Sequence, residues 1–219
     1  MPLLFTDRRS GASLAPYESF NLALYVGDDA LAVTQNRAQL QERTAALQFM
    51  NQVHGEHIVR IEDVISDPTA DALITTVPGI ALAVLVADCI PLLLTSPEVV
   101  GAVHVGRRGL VNKIAVKTIA RMRELGATSI HANLGPSICG RCYEVSQELA
   151  DEVVSMHPEA AAVTDHGTPA LDLPRALMAE LRSVDVTYQA LQICTLENSE
   201  YFSYRRHNIT GRNAGVVWL

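Results

Sequence analysis

Two short apolar runs limit what this chain can fold into. Ile80 to Val86 and Val99 to Val103 are uncharged, rich in β-branched residues and bounded by Gly or Pro. Such runs read as strands buried on both faces. The first leads into Ala87-Asp88-Cys89-Ile90-Pro91, and the second into His104-Val105-Gly106-Arg107-Arg108-Gly109. A thiol and an imidazole therefore stand at strand ends, where a rigid sheet presents side chains to open loops. Upstream, Asn51-Gln52-Val53-His54-Gly55 offers a second imidazole. Two His and one Cys that converge would make a three-ligand zinc site with its fourth position free, the catalytic form. The spacing alone is not a recognised zinc signature. Singly, Cys89 reads as a buried core thiol and His104 as a satisfied structural histidine. His57 lies three residues from His54, and on a strand that odd offset points to the opposite face, so it is left out.

Around the central runs, the apolar spacing alternates unevenly between strand and helix periods. Leu4 to Ser13 reads as a short strand and turn, and Asn21 to Val26 as a strand. Ala30 to Leu47 reads as a helix capped by Asp28-Asp29, and Gln48 to Ile61 as strand again. Residues 63–69 form a polar loop before a short strand over Ala72 to Thr76. Val111 to Leu125 is a helix stopped by Gly126, Ser129 to Leu134 a strand, and Val145 to Met156 a helix. Asp172 with Pro174 starts a helix to about Leu181. Val186 to Cys194 and Gly215 to Leu219 are the final strands. This order is neither a clean βαβ series nor strands followed by helices. The expected fold class is α+β (mixed α/β): a mixed β-sheet core flanked by helices, in one domain over residues 1–219, without repeats or linkers.

The net charge of −7 argues against a nucleic-acid footprint, which needs a basic face. No apolar run approaches membrane-span length, and Met1-Pro2-Leu3-Leu4-Phe5 carries no basic region. We therefore expect a cytoplasmic protein with no nucleic-acid or membrane partner, as a monomer or small homo-oligomer. Four cysteines among 219 residues are too few for a disulfide framework, so functional thiols in a reduced compartment are the simpler reading.

Several motifs, in order along nearly the whole chain, resemble the YfiH-like family, also labelled the polyphenol oxidase (laccase) or purine nucleoside phosphorylase family. They are Gln52-Val53-His54-Gly55, Ala87-Asp88-Cys89 with Pro91, and Val103-His104 with Gly106, Arg108 and Gly109. Gly135-Pro136-Ser137-Ile138 then precedes Cys142-Tyr143-Glu144-Val145, and Phe202-Ser203-Tyr204-Arg205-Arg206 precedes Thr210-Gly211-Arg212. Phe5 to Arg8, Ser19 to Leu22, Gly27 to Asp29, and Asn36-Arg37 fit too. The resemblance implies a fold like the catalytic domain of cytotoxic necrotising factor toxins, a Cys/His hydrolase. It also implies a catalytic metal held by His54, Cys89 and His104, with zinc expected and copper as the alternative.

One departure concerns the residues after His104. The family usually has Ala and Trp where this chain has Val105 and Arg107. Gly106 disrupts the alternation of side-chain directions there, and we expect Arg107 to face solvent. Cys139-Gly140-Arg141-Cys142 has the C-x-x-C form of redox and zinc motifs. In the family the pair is adjacent, matching positions 141 and 142. No second pair sits at suitable spacing, so no structural zinc is expected, and Cys142 is a candidate wall residue of the site. The turn at Gly135 to Ile138 is equally a plain connection or an anion cradle. Arg205 and Arg206 form a basic spot in an acidic chain, suited to phosphate or carboxylate. The expected substrate-binding set is Asn21, Arg37, Tyr143, Arg205 and Arg206, with Asn21 and Arg37 entering by resemblance only.

Three activities compete. The resemblance implies phosphorolysis of adenosine, inosine, guanosine or methylthioadenosine, with some adenosine deamination, which makes a small nucleoside and phosphate the partners. A copper-dependent, laccase-like polyphenol oxidase is the second. Seven histidines cannot supply the imidazoles of a full multicopper centre, so such activity should be weak. The third is a metal-free Cys/His hydrolase, or a non-enzymatic partner in cell-wall or cell-division assembly. Phosphorolysis is the expected function.

Overall fold

Every residue from 1 to 219 is described in the computed structural model. The uncharged run Ile80–Val86 forms β5 and is buried along its whole length. Its alternation divides two cores. Leu82, Val84 and Val86 point to one side, and Ala81, Ala83 and Leu85 to the other, as the two-residue period of a strand requires. β5 lies in a four-stranded sheet of order β1-β12-β5-β2. Its partners are Leu3–Phe5 (β1), Asn213–Trp218 (β12) and Ala46–Gln48 (β2).

A second, six-stranded sheet has the order β11-β8-β6-β7-β4-β3. It contains Ile58–Arg60 (β3), Ala72–Thr75 (β4), Ile90–Thr95 (β6), Val100–Val105 (β7), His131–Leu134 (β8) and Thr187–Ala190 (β11). Leu93, Val100, Ala102 and Leu73 from this sheet meet the inner face of β5. The opposite face of the six-stranded sheet, through Leu92, Leu94, Val103 and Val105, packs on helices. These are Arg107–Val111 (α2), Ile114–Glu124 (α3), Gln147–Met156 (α4) and Leu173–Ser183 (α5). Ala30–Gln41 (α1) covers the outer face of the other sheet through Leu40. The result is a mixed α/β architecture of helix, sheet, sheet and helices. The central strands are apolar on both faces because neither face meets water.

The expected class therefore holds, with corrections to individual elements. Ile90–Thr95 is a central strand absent from the sequence expectations. Pro91 is tolerated as the second residue of β6, close to the strand start. The expected helix to Leu47 ends at Gln41, and Ala46–Gln48 pairs with β5 instead. The expected helix from Val111 is two helices broken at Lys113, whose φ of 56° is left-handed. Asn21 to Val26 is not a strand. The expected strand from Gln48 to Ile61 is only its two ends, with a long loop between that carries His54. A small hairpin, Ala161–Val163 (β9) with Pro169–Leu171 (β10), was not expected.

Candidate metal centre and the cavity around it

The loop between β2 and β3 turns sharply at His54, whose φ is 57°. A single buried carboxylate holds that turn. Asp71, just ahead of β4 and fully buried, accepts the amides of Val53 at 3.2 Å, His54 at 3.0 Å and Gly55 at 2.6 Å. Gln52 ties the same loop to the end of β5 by bonding both the amide and the carbonyl of Leu85, at 2.8 Å each.

His104 lies near the end of β7 and is buried. Its Nδ1 donates to Asp71 at 2.8 Å, which fixes the ring and leaves Nε2 free to bind. Cys89 sits between β5 and β6, beside Asp88 in a left-handed conformation with φ of 92°. Asp88 is held by its neighbours: its carboxylate accepts the Thr195 hydroxyl and the Arg205 amide, both at 2.7 Å. Cys89 Sγ lies 3.9 Å from His54 Nε2. The two imidazole rings are 4.6 Å apart, edge to face at 77°. One nitrogen of each imidazole and the sulfur of Cys89 lie within 4.8 Å of one another. Gly106 makes the approach possible, since a Cβ there would sit 3.0 Å from Cys89 Sγ and 3.3 Å from His54 Cδ2.

The electrostatics follow from this crowding. Burial would raise the Cys89 thiol, but the charge and hydrogen bond of His104, with help from His54, outweigh it and bring it down to about 6. Burial opposes the His104 imidazolium, but Cys89 and Asp71 outweigh it and raise it to about 9. Burial also works against the Asp71 carboxylate, and its bonds to His104 and the loop amides still hold it below the usual carboxylate range. The donor set of two imidazole nitrogens and one thiolate fits a thiophilic divalent metal. The carboxylate behind His104 is the support that metal-bound imidazoles ordinarily have.

These groups face a cavity of about 430 Å³. Its wall combines Tyr25, Tyr143 and Tyr204 with Arg107, Arg205 and Arg212. The solvent-facing expectation for Arg107 is therefore corrected. Gly106 ends β7 and starts α2, and this places Arg107 on the cavity wall. Arg205 lies over the Tyr143 ring at 5.1 Å and donates to the Glu144 carbonyl at 2.8 Å. Arg212 is 6.0 Å from the rings of both Tyr25 and Tyr204.

Of the expected substrate-binding set, Tyr143 and Arg205 line this cavity and three residues do not. Arg206 points away and donates to the carbonyls of Thr195 at 2.7 Å and Leu196 at 3.0 Å, and to Tyr201. Arg37 stacks on Phe49 at 3.8 Å and donates to the Leu22 carbonyl at 2.8 Å. Asn21 is fully buried. It accepts the Arg212 amide at 3.0 Å and donates to Asp28 at 2.9 Å, so it props the wall from behind. Sequence reasoning missed Asp71. A charged residue heading the apolar run Ala72-Leu73-Ile74 was the signal available.

A family model described as multi-copper polyphenol oxidoreductase laccase matches residues 2–219. A purine nucleoside phosphorylase of Streptomyces coelicolor is 45% identical, over 98% of this chain and 94% of that protein. The crystal structure of Neisseria meningitidis protein NMB0706 superposes with a TM-score of 0.91 at 32% identity, over 99% of this chain and 93% of the other. The YfiH protein of Bacillus licheniformis superposes with a TM-score of 0.89 at 26% identity, over 98% and 91%. On these matches, the chain belongs to the YfiH-like family of laccase-domain proteins.

Proposed function

We propose that this protein is a zinc-dependent purine nucleoside phosphorylase acting on adenosine, inosine, guanosine and methylthioadenosine, with adenosine deamination as a side activity. The observation that carries the reading is the His54–Cys89–His104 group facing a cavity walled by tyrosines and arginines. Its volume lies within the roughly 300–1,000 Å³ usual for small-molecule sites. The name of the Streptomyces relative supports the same reading.

In phosphorolysis a phosphate oxygen bonds to the anomeric carbon, the glycosidic C–N bond breaks, and the purine leaves with a proton. Zinc held by His54, Cys89 and His104 would supply a Lewis-acid position for a phosphate oxygen or a water. Arg107, Arg205 and Arg212 hold the phosphate and balance its charge with forked donors. Tyr25, Tyr143 and Tyr204 offer ring faces to the purine. Asp71 keeps His104 in the tautomer whose Nε2 faces the reacting groups.

Copper oxidase chemistry has weaker support, because the cluster holds only two imidazoles. A metal-free thiol hydrolase has one observation in its favour, the Cys89 sulfur within 4.8 Å of an imidazole nitrogen of His104, an arrangement that favours a thiolate beside an imidazolium. The deciding experiment is elemental analysis of protein prepared without added metal, then incubation with purine nucleosides with and without phosphate. Phosphate-dependent release of base and pentose 1-phosphate, abolished in Cys89→Ala, is the expected result. Zinc-loaded protein that releases no base from any of the four nucleosides would overturn the reading.

A further inference from the structure

A second group of candidate metal ligands lies outside the cavity lining. The sulfurs of Cys139, Cys142 and Cys194 and a carboxylate oxygen of Glu197 all lie within 4.8 Å of one another. The sequence reading found one C-x-x-C pair and no partner for it. The partner is Cys194-Thr195-Leu196-Glu197, in which a carboxylate takes the place of the fourth cysteine. We propose that Cys139, Cys142, Cys194 and Glu197 form a second, structural site for a thiophilic divalent metal, with zinc the preferred ion, distinct from the His54–Cys89–His104 group.

Geometry supports this at three levels. A Zn–S bond of about 2.3 Å puts tetrahedral ligand atoms about 3.8 Å apart, so shifts of at most about 1 Å close this group around an ion. Both ligand pairs sit on tight turns. The amides of Cys142 and Tyr143 donate to the Cys139 carbonyl at 3.1 and 3.0 Å, and the Asn198 amide donates to the Cys194 carbonyl at 2.9 Å. The Thr195 amide donates to the Ser137 carbonyl at 3.1 Å and the Ser137 amide to the Ile193 carbonyl at 3.2 Å, so both ligand-bearing segments are tied by backbone bonds. The turns are brought together by a parallel bridge between Ser137 and Cys194 beyond the ends of β8 and β11.

The chemistry balances without an oxidant or reductant. Metal entry replaces three thiol protons, which leave to solvent, and Glu197 enters as the carboxylate. Three thiolates and one carboxylate around a divalent ion leave a charge of −2. Arg141, whose guanidinium reaches Glu197 at 3.2 Å and also faces Cys139, offsets part of it. Four protein ligands close the coordination shell, which is the structural rather than the catalytic form. What the ion would hold in place is plain from the neighbouring bonds. Thr195 carries Asp88 through its hydroxyl, and the carbonyls of Thr195 and Leu196 anchor Arg206. A rigid 194–197 turn therefore fixes the backbone immediately before Cys89.

The test uses full-length His54→Ala/Cys89→Ala protein, so that the cavity metal cannot contribute, reduced and then titrated with Zn²⁺ and Co²⁺ without oxygen. We expect one equivalent bound and the strong charge-transfer absorption of a tetrahedral cobalt–thiolate site. Adding Cys142→Ser should abolish both. Adding Glu197→Gln instead, at an exposed position, should keep the absorption and weaken affinity at least about tenfold. Circular dichroism should show all variants folded. Failure of the doubly substituted protein to bind metal, or retention of the full absorption after Cys142→Ser, would overturn the site. Neither outcome bears on the phosphorylase reading, which depends on the other three ligands.

Discussion

At the residue scale, Asp71 is the position on which the most depends. It receives three successive amides and the His104 ring, and it is sealed from water. Replacing it with Asn keeps the size but removes the charge and one acceptor. Loss of such support typically costs about 10–100-fold in metal affinity. Chelator competition on Asp71→Asn should read a loss in that range, and an unchanged affinity would refute the role. The pH behaviour of the metal-free protein follows from the neighbouring pair. The Cys89 thiol is depressed to about 6, so its stabilising contribution is complete above the ordinary thiol value and is lost as pH falls through about 6. The His104 imidazolium is raised to about 9, so its contribution is complete below the ordinary histidine value and is lost as pH rises through about 9. Both groups are charged between those limits. The alkylation rate of Cys89 in metal-free protein should therefore rise through a midpoint near 6, and His104→Gln should move that midpoint upward. A wild-type midpoint at the ordinary thiol value would contradict the pairing. Cys89 and the two imidazoles were legible in the sequence because each stands inside a motif. Asp71 and Glu197 were not, because an isolated carboxylate reveals its partners only when the chain is folded.

At the scale of elements, the long apolar strands were legible and the short ones were not. β5 and β7 announce themselves by uninterrupted hydrophobicity, whereas β6 carries Pro91 as its second residue, which weakens a strand signal. Three-residue strands such as β2 and β3 carry too few residues for any period to emerge. The break at Lys113 was invisible for a similar reason, since a single left-handed residue leaves no mark on apolar spacing. Burial nevertheless ranks β6 among the elements most costly to disturb. Leu93 is fully buried and projects between the two sheets. Leu93→Ala should lower stability by about 2–5 kcal/mol through lost burial and the cavity left behind. Leu14→Ala, at a position 80% exposed, should fall within about ±0.5 kcal/mol. Denaturant unfolding of the two variants checks the contrast, and similar midpoints would deny the inter-sheet core its importance.

At the scale of the whole molecule, the site straddles the junction of the two sheets. The end of β5 in the four-stranded sheet leads through Cys89 into β6 of the six-stranded one, where β7 carries His104. Arg212 arrives just ahead of β12, back in the first sheet. A chain with net charge −7 thus concentrates three arginines in one concavity, and a local positive field survives in an acidic protein. This arrangement separates Arg205 from Arg206, which composition alone treats as one basic spot. The Arg205 guanidinium lines the cavity, whereas that of Arg206 is spent on backbone carbonyls. Under the phosphorylase reading, Arg107→Met, Arg205→Met and Arg212→Met should each raise the KM for phosphate about tenfold, the loss of one charge-assisted contact of roughly 1.4 kcal/mol. Zinc content should not change. Arg206→Met should instead lower Tm, by several degrees for the loss of 1–2 kcal/mol on the order expected of its bonds, and leave the phosphate KM alone. Steady-state kinetics at varied phosphate, set beside thermal melts of all four variants, decides between these outcomes. A raised phosphate KM in Arg206→Met at unchanged Tm would put its guanidinium in the cavity and undo the distinction.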